Sequence, residues 1–347
     1  MAQPDAHRSG QGGEGAVSAP SIHRTDRTAA PERVGGDPPG VRPDTATPPK
    51  DPRYLALRNF AISMTVFNIL GYTVLGFEQP WAWPILALLV GYAAEILIEV
   101  VTAAAHRRAP EFTGRGARGM FEFLLPTHIT ALAVNMLLYA NDRFWPIAFA
   151  VVVAIGQKAV LRAPVNGRMR HFMNPSNLGI TVALLMFPWV NVAPPYHFTE
   201  HVPDAISIIV PLFIITSGTV LNAMLTKKVP LILGWVGGFV IQALVRHWTL
   251  DVALWGALVP ITGVAFVLFT NYMITDPGTT PTKGWNQFAF GSGVAAVYGI
   301  LIALNVVYTT FFALTLVCLI RGLMWWIAWL RRPARETRLG GPEPASR

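Results

Sequence analysis

The sequence predicts an all-α integral membrane protein with about ten transmembrane helices. Hydrophobic residues make up 52% of the 347 residues and charged residues only 13%, whereas soluble domains carry about 25% charged residues. Many separate apolar runs approach the roughly 20 residues that are needed to cross a bilayer. Lysine and arginine are also distributed unequally among the loops between these runs, which is typical of multispanning proteins.

Each apolar run predicts one helix, and the runs are separated by charged residues or by segments rich in proline and glycine. Tryptophans fall at several run ends, where amphipathic rings prefer the membrane–water interface; they are Trp81, Trp83, Trp145, Trp189 and Trp248. The predicted spans are 56–76, 82–104, 121–140, 144–161, 175–191, 205–225, 230–246, 252–274, 287–304 and 308–330.

Residues 1–53 and 332–347 lack the large apolar side chains that a packed core needs. The first segment carries seven basic and seven acidic residues among Gly, Pro, Ala and Thr, so it predicts a disordered tail and not a signal peptide. We therefore expect a membrane domain over 54–331 between two disordered cytoplasmic tails. The net charge of +8 comes from the residues after position 53 and gives no reason to expect a nucleic-acid partner.

The loop charges predict the orientation of the protein. Eleven Lys or Arg residues lie in the loops after spans two, four, six and eight, whereas only Arg143 and Arg246 follow odd-numbered spans. By the positive-inside rule, both termini lie in the cytoplasm and the protein is a multi-pass protein of the bacterial cytoplasmic membrane. Ten spans divide into two sets of five, and related five-helix halves would be inverted, with sites at their interface. The residues of the two halves do not align by eye, so inverted halves are a hypothesis.

Ionisable residues within the spans are costly, and each is therefore a candidate functional group. They are Glu95, Glu99, Glu122, His128, Lys158 and Asp276. On the predicted orientation all of them lie towards the cytoplasm, which indicates a polar vestibule open to that side. Glu95, His128 and Asp276 are the catalytic candidates. The alternative is that the charged side chains snorkel to the surface and pair with arginines such as Arg107 or Arg162.

The stretch RMRHFMNPSNLGI, residues 168–180, predicts an anion site at a helix N-terminus. Asn174 can cap a helix that starts at Pro175, and arginines precede it. Free N–H groups, the helix dipole and guanidinium groups suit a phosphate or carboxylate; the alternative is a capped helix behind a basic loop. Hydroxyls in 214–224 either line a pocket or let helices approach closely. The cofactor-binding candidates are Arg168, Arg170, Asn174, Ser176, Ser217, Thr219, Thr279 and Thr280.

The stretch NYMITDPGTTPTKG, residues 271–284, interrupts an apolar run. The proline and glycine that follow Asp276 have the order of a type II turn, with threonine hydroxyls on either side. Irregular backbone at membrane depth is tolerated only where it is buried in protein or lines a cavity. We therefore expect this turn to cap span eight beside the start of the 174–180 helix, with Asp276 paired to Arg168 or Arg170.

The sequence predicts no metal site. His197 and His201 have the spacing of helical metal ligands, but the flanking prolines disfavour a helix there. The stretch GRGARG at 114–119 lies in a basic loop and follows no strand, so it does not indicate a dinucleotide fold. The single cysteine, Cys318, cannot form an internal disulfide or supply an iron–sulfur cluster. Redox chemistry would therefore need an organic cofactor or a partner protein.

Several stretches resemble a known family of membrane subunits. HFMNPSNLGIT, ITSGTVLNA and FTNYMITDPGTTP resemble the RnfD/NqrB family, which is shared by the Rnf electron-transport complex and the sodium-translocating NADH:quinone reductase. A closer resemblance, over residues 51–330, is to the UnbU-type membrane proteins of enediyne biosynthesis clusters. It rests on FNILGYTVLGFEQPW, LLYANDRFWP, RHFMNPSNLGI, PPYHFTEHV and VLFTNYMITDPGTTP.

The resemblance implies ten helices, an apolar polyene-derived substrate and, from the redox relatives, a flavin in the membrane. Those relatives attach FMN to the threonine of S/T-G-x-T, whereas this chain has Val220 at that position and Thr219 one place earlier. It therefore implies FMN or riboflavin bound non-covalently and argues against covalent flavinylation. We expect a protein that assists redox maturation in enediyne biosynthesis with soluble or membrane partners. A transporter for product or ions and a scaffold for soluble enzymes are the alternatives.

Overall fold

A computed structural model describes residues 52–194, 199 and 201–331. Residues 1–51 and 332–347 of the predicted tails lie outside the described residues, as does His197. The helices are α1 Pro52–Thr73, α2 Trp83–Ala105, α3 Gly116–Leu137, α4 Trp145–Val160, α5 Pro175–Met186, α6 Asp204–Leu221, α7 Val229–Leu250, α8 Leu254–Leu258, α9 Val264–Leu268, α10 Gly284–Ala303 and α11 Thr309–Leu330. The short strands are β1 Leu138–Tyr139, β2 Arg162–Val165, β3 Arg168–His171 and β4 Asn191–Val192.

The described chain is a helical protein with several helices that could span a membrane. By length and composition, 6 helices qualify, namely α2, α3, α6 with its π-helical extension, α7, α10 and α11. A seventh span results if α8 and α9, which are bent by 64° relative to each other, count as one. The apolar helices α4 and α5 have only 16 and 12 residues, and are therefore about 24 and 18 Å long at 1.5 Å per residue. The predicted count of ten is thus not established by helix length.

Proline residues set the boundaries of the interrupted helices. Pro175 occupies the first turn of α5, where its missing N–H leaves no helical bond unmade. Asn174 Oδ1 accepts a hydrogen bond from the Asn177 N–H at 3.0 Å, so the predicted cap is confirmed. Between α8 and α9, a 3-10 turn at Val259–Thr262 contains Pro260. This turn explains the bend, because proline cannot donate to the helical ladder.

Two small antiparallel pairings lie at the ends of the bundle. Strands β2 and β3 form a hairpin within the predicted basic loop, and β1 pairs with β4 elsewhere. The hairpin turns at Asn166 and Gly167, whose φ angles are 50° and 77°. An Asn-Gly pair with positive φ is the common choice for a two-residue hairpin turn. The hairpin was not predicted, although the Asn-Gly signal is present in the sequence.

The connections that follow even-numbered runs, together with the ends of the described chain, meet at one end of the bundle. Trp326 Nε1, near the end of α11, donates to the carbonyl of Arg162 at 3.0 Å. The guanidinium of Arg118, at the start of α3, lies 5.9 Å from the ring centre of Tyr54 in α1. Strands β1 and β4, which follow odd-numbered runs, pair with each other. The chain therefore alternates between two ends, as a multispanning protein requires, and its basic loops lie at one of them.

The most extensive helix contact joins α7 and α10. Small residues let these helices approach closely: a Cβ at Gly234 would lie 2.2 Å from the Phe288 carbonyl oxygen, and one at Gly291 would lie 2.3 Å from that of Leu231. Trp235, which is fully buried, packs in the same region. Close approach of this kind lets backbone and side-chain packing hold helices together where lipid removes the hydrophobic driving force.

Helix packing follows the same order in the two sets of five runs. In the first set α1 packs on α3, α2 packs on α3 and α4, and α4 packs on α5. In the second set α6 packs on α9, α7 packs on α8 and α10, and α10 packs on α11. The two sets meet where α5 contacts α11 and where α1 contacts the π-helical turn after α6. These contacts join elements that hold the same position in each set.

Candidate functional site

Glu95 and Lys158 form an ion pair between α2 and α4. The Nζ atom of Lys158 lies 2.5 Å from Glu95 Oε2, and the two side chains keep only 18% and 19% of their exposure. Thr127 of α3 donates its hydroxyl to the same carboxylate oxygen at 2.7 Å. Two of the predicted polar groups therefore meet in one contact that links three helices. Glu95 is not a surface side chain paired with a loop arginine.

His128 of α3 is held between hydroxyl groups from two other helices. Its Nε2 atom lies 2.7 Å from Thr65 Oγ1 of α1, and its Nδ1 atom lies 2.6 Å from the Tyr92 hydroxyl of α2. Because the Thr65 hydroxyl donates to the carbonyl of Ala61 at 2.9 Å, its oxygen is left to accept from His128. These partners assign a neutral imidazole that carries its proton on Nε2 and accepts from Tyr92 at Nδ1.

A largely apolar cavity of about 310 Å³ lies between α1 and the start of α2. Ile69, Ile85 and Leu88 contribute to its walls, and Thr65 lines it as well. The histidine is therefore separated from the cavity by a single threonine side chain. A second cavity, of about 280 Å³, lies between α1 and α6 and has only apolar lining residues. Apolar cavities with a few placed polar groups are typical of small-molecule sites.

Glu99 and Glu122 are paired with arginines close to the basic loop between α2 and α3. Arg108 donates two hydrogen bonds to the Glu99 carboxylate, at 2.6 and 3.0 Å. Arg118 donates one to Glu122 at 2.9 Å. These two glutamates therefore follow the alternative prediction, in which charged side chains pair with neighbouring arginines. The partners are Arg108 and Arg118 and not the expected Arg107 or Arg162. They do not join the contact between Glu95 and Lys158.

Asp276 closes its own turn. Its carboxylate accepts the Thr279 hydroxyl at 2.7 Å and the Gly278 N–H at 3.2 Å, which is the local pattern that aspartate favours in turns. The expected pairing with Arg168 or Arg170 is wrong, because no ion pair within 4.0 Å joins them in the described chain. Both arginines are exposed on β3, whereas the carboxylate is already engaged by its neighbours in the sequence.

The turn after α9 lies beside the start of α5, as expected. Asn174 Nδ2 donates to the carbonyl of Met273 at 2.8 Å, three residues before Asp276. On the same side, His171 Nε2 lies 3.3 Å from the position that a Cβ of Gly278 would take. The two motifs that the sequence analysis singled out therefore form one structural unit, in which the asparagine both caps α5 and holds the turn.

Two cations that the sequence analysis did not single out hold the other side of this turn. Lys228 is only 3% exposed and donates to the carbonyl of Pro281 at 2.7 Å. Arg321 donates to the carbonyl of Thr279, and its guanidinium lies 4.3 Å from the ring centre of Trp325, a cation–π geometry. Arg321 could have been found, because it is a charged residue inside an apolar run, the same signal that indicated Glu95.

The pKa values of two groups outside the spanning helices are displaced. Burial lowers the pKa of Lys228 to about 8, against the opposing field of Asp276. Burial also lowers the pKa of His171, which again lies in the field of Asp276 and in that of Lys158. Lys158, His171, Lys228 and Asp276 therefore lie near enough to one another at this end of the bundle for their charges to interact. We call these four groups the polar layer.

The cofactor-binding candidates near α5 are engaged in hydrogen bonds within the protein. Asn174 uses its oxygen to cap α5, and Ser176 Oγ lies 3.2 Å from that oxygen. Thr279 bonds the Asp276 carboxylate, and Thr280 donates to the Asp276 carbonyl at 2.6 Å. Both threonines are buried. A phosphate would have to replace these bonds, so among these candidates the exposed guanidiniums of Arg168 and Arg170 on β3 are the groups open to an anion.

The candidates on α6 pack against the end of α9 or lie on the surface of the protein. Ser217 Oγ lies 3.0 Å from the Tyr272 hydroxyl, and a Cβ at Gly218 would lie 2.5 Å from the Cβ of Asn271. Thr219 is exposed. The stretch therefore leaves no room for a flavin ring between α6 and α9 in this conformation. Non-covalent flavin stays a prediction, and we derive no chemical step through it.

Arg246 occupies a different setting from the loop position that was expected. Helix α7 continues to Leu250, so Arg246 lies inside a helix and donates to Gln242 at 3.3 Å.

Within the described residues, no group of three His, Cys, Asp or Glu side chains could hold a metal ion. Comparison with known proteins adds no relative, because neither the protein-family models nor the curated proteins that were searched match this chain.

Proposed function

We propose that this protein assists redox maturation of an apolar, polyene-derived intermediate in enediyne natural-product biosynthesis, as an RnfD/NqrB-like membrane component. The observation that carries the proposal is the position of His128, a titratable ring between two hydroxyls and next to a largely apolar cavity. An apolar intermediate partitions into lipid and can enter such a cavity from the bilayer. The biosynthetic and redox parts rest on the motif resemblance.

In this proposal His128 moves a proton between the protein and the bound substrate. The neutral ring carries one proton, so donation from Nε2 through the Thr65 hydroxyl is coupled to uptake of the Tyr92 hydroxyl proton at Nδ1, and Tyr92 then regains a proton from water. Histidine suits this role because its two ring nitrogens can release and take up a proton in the same step. Electrons would have to be supplied by biosynthetic partner proteins, because FMN or riboflavin bound non-covalently is implied only by the motif resemblance and the predicted residues on α6 leave no room for it. No residue of this chain is assigned to the electron transfer.

The proposed architecture has ten spans in two inverted halves of five. Support comes from the matching packing order and from one asparagine in the first run of each half, Asn68 and Asn222. Asn68 of α1 donates to the Met64 carbonyl one turn earlier, and Asn222 after α6 donates to that of Gly218. Each also bonds the third run of its own half, through Asn135 and Asn271 respectively. The helices α1 and α6 enter the bundle from opposite ends, as inverted halves require.

The proposed location is the bacterial cytoplasmic membrane, with both termini in the cytoplasm. Support comes from the basic loops, which lie at one end of the bundle together with the ends of the described chain. With this orientation the polar layer that contains Lys158, His171 and Asp276 faces the cytoplasm. The cavity beside α1 and α2 then opens towards the lipid and the outer leaflet.

Replacement of His128 by glutamine tests the proposed function. Glutamine can still bond hydroxyls at both ends, but it cannot carry a proton, so packing is kept while proton transfer is lost. We expect product titre in a producing strain to fall by at least the roughly 100-fold that a general acid–base group supplies. The control is His106→Gln, an exposed histidine that contacts only the Thr102 carbonyl of its own helix. A normal titre from inserted His128→Gln protein would reject the proposal.

A transporter for product or ions is the second candidate function. The observation that favours it is the ion pair between Glu95 and Lys158, since paired charges inside membrane domains commonly mark proton or ion paths. Purified protein reconstituted in liposomes separates the two candidates. Flavin absorbance with no flux supports the biosynthetic function, whereas colourless protein with substrate-dependent flux, lost on Glu95→Gln, supports transport.

A further inference from the structure

The cavity between α1 and α2 contains one hydroxyl donor that has no acceptor in the described part of the chain. Tyr72, which lines the cavity, accepts a hydrogen bond from Asn135 Nδ2 at 3.1 Å. The same amide donates to Asn68 Oδ1 at 3.2 Å, and Asn68 Nδ2 donates to the Met64 carbonyl. Both asparagines are buried, at 0% and 3% exposure. Because Asn68 donates to the Met64 carbonyl, its Oδ1 has to accept from Asn135 Nδ2, which assigns the amide orientation and leaves Asn135 Oδ1 without a partner in the described chain. With this assignment the Tyr72 oxygen accepts and its own proton remains available.

The other hydroxyls of this cavity are satisfied by the protein. Thr73 donates to the carbonyl of Ile69 at 2.7 Å, and Thr65 is bonded to Ala61 and His128. The remaining lining side chains are apolar apart from Asn68, whose amide is engaged, and Trp81. Two donors are thus left for a polar atom of a ligand, the Tyr72 hydroxyl and the Trp81 indole N–H. Trp81 is 74% exposed, so Tyr72 is the donor better shielded from solvent, and the rest of the cavity suits hydrocarbon.

We propose that this cavity binds a lipophilic single-chain molecule that presents one hydrogen-bond-accepting oxygen to the Tyr72 hydroxyl. A volume of about 310 Å³ lies at the lower end of the roughly 300–1,000 Å³ of small-molecule sites, which suits one chain better than a whole phospholipid. The identification of this ligand as the substrate rests on the proposed function. The binding site itself rests on the geometry of the cavity.

The spacing along α1 also sets where chemistry would occur on such a ligand. Tyr72 follows Thr65 by seven residues, so the two lie on one face of the helix and about 10 Å apart along its axis. Thr65 contacts Nε2 of His128. A ligand anchored by its oxygen at Tyr72 therefore places carbons about 10 Å along its chain next to Thr65, the side chain that lies between the cavity and the histidine. This geometry predicts a substrate with an accepting oxygen at that distance from the position that is protonated.

Binding of two fluorescent probes tests the inference. The first is the methyl ester of a conjugated tetraene fatty acid, and the second is the matching tetraene hydrocarbon without oxygen. Their dissociation constants are measured by quenching of tryptophan emission with the full-length protein in nanodiscs. We expect Tyr72→Phe to raise the dissociation constant of the ester about 5- to 10-fold and to leave that of the hydrocarbon unchanged, because one hydrogen bond is lost.

Matched variants exclude a general effect on folding. Thr249→Val removes an exposed hydroxyl outside the cavity that bonds its own helix at 2.7 Å, so both probes should bind as in the wild type. Ile85→Trp fills the cavity and should abolish binding of both. Equal wild-type affinity for ester and hydrocarbon would overturn the inference, as would an unchanged ester affinity in Tyr72→Phe protein of normal elution profile.

Two further comparisons identify the source of the oxygen and separate this inference from the proposed function. If the natural occupant is the ester of a membrane lipid, the ester probe should bind more tightly in nanodiscs of ether lipids than in those of ester lipids. A free ligand predicts equal affinity in the two. Weaker ester binding by Tyr72→Phe together with a normal product titre from the His128→Gln strain would support the site and reject the proposed function. An unchanged ester affinity rejects the site whatever the titre.

Discussion

The ion pair between Glu95 and Lys158 offers the sharpest test of how the first four helices are held together. Either single substitution, Glu95→Gln or Lys158→Met, leaves one charge without its partner. Breaking a buried pair in this way costs about 3–5 kcal/mol. Because the two side chains keep 19% and 18% of their exposure, water screens part of the charge, and we expect about 2 kcal/mol for each single variant.

The double variant should behave differently from either single variant. Glu95→Gln with Lys158→Met removes both charges, while Thr127 can still donate to the glutamine oxygen. We therefore expect unfolding free energy within about 1 kcal/mol of the wild type, since replacing both partners avoids a stranded charge. The resulting coupling energy of about 3–4 kcal/mol, which is the two single costs together less the cost of the double variant, is the quantity that a double-mutant cycle measures.

Thermal unfolding of the purified protein in nanodiscs measures these effects. At about 2–4 °C per kcal/mol for a large domain, each single variant should lower Tm by about 4–8 °C. Glu122→Gln is the matched control, because its pairing with Arg118 is an exposed contact between residues four apart and should contribute less than about 0.5 kcal/mol. If the single variants lose no more than this control, or if the double variant loses the sum of both, the pair does not hold α2 and α4 together as described.

Other predictions follow from packing, titration and topology. Gly291→Ala should destabilise the protein by about 1–3 kcal/mol because its Cβ meets the Leu231 carbonyl, whereas Gly293→Ala, with open space around it, should change the unfolding free energy by less than about 0.5 kcal/mol. Because the folded-state pKa of Lys228 is about 8, below the ordinary 10.5, the unfolded chain binds more protons between these values. Stability should therefore rise with pH over that interval, and below about pH 8 the contribution of Lys228 should no longer change because both states are protonated. Lys228→Met should abolish the rise in denaturant titrations. An impermeant thiol reagent should label Met169→Cys only after the cells are opened and Asp142→Cys in intact cells; the reverse pattern would contradict the orientation.

The sequence predicted those features of the site that depend on local chemistry. An asparagine before a proline predicts a helix cap wherever the helix packs, and Asn174 is that cap. The cost of irregular backbone inside a membrane predicts that the turn at Asp276 lies against protein, and it lies beside α5. The same cost argument selected Glu95 and Lys158, and the structure brings these two together.

The partners of each polar group could not be predicted, because they depend on how non-adjacent helices pack. Nothing in the local sequence indicates that Thr65 and Tyr92 meet the same imidazole, since the three residues lie on three helices. Asp276 illustrates the opposite error: nearby arginines suggested a long-range pair, but two hydrogen-bond donors within three residues of the carboxylate already satisfy it.

The two proposed halves share a packing order but differ in what fills the space between their helices. In the second half, glycines such as Gly234 and Gly291 bring α7 and α10 into backbone contact, which leaves little space for a ligand between them. In the first half, the equivalent helices α2 and α4 are joined by Glu95 and Lys158, and the cavity lies on the other side of α2. A tightly packed half provides a rigid support, and its turn reaches the first half where Asn174 bonds Met273. We therefore expect ligand binding to alter the first half, with the second as its fixed frame.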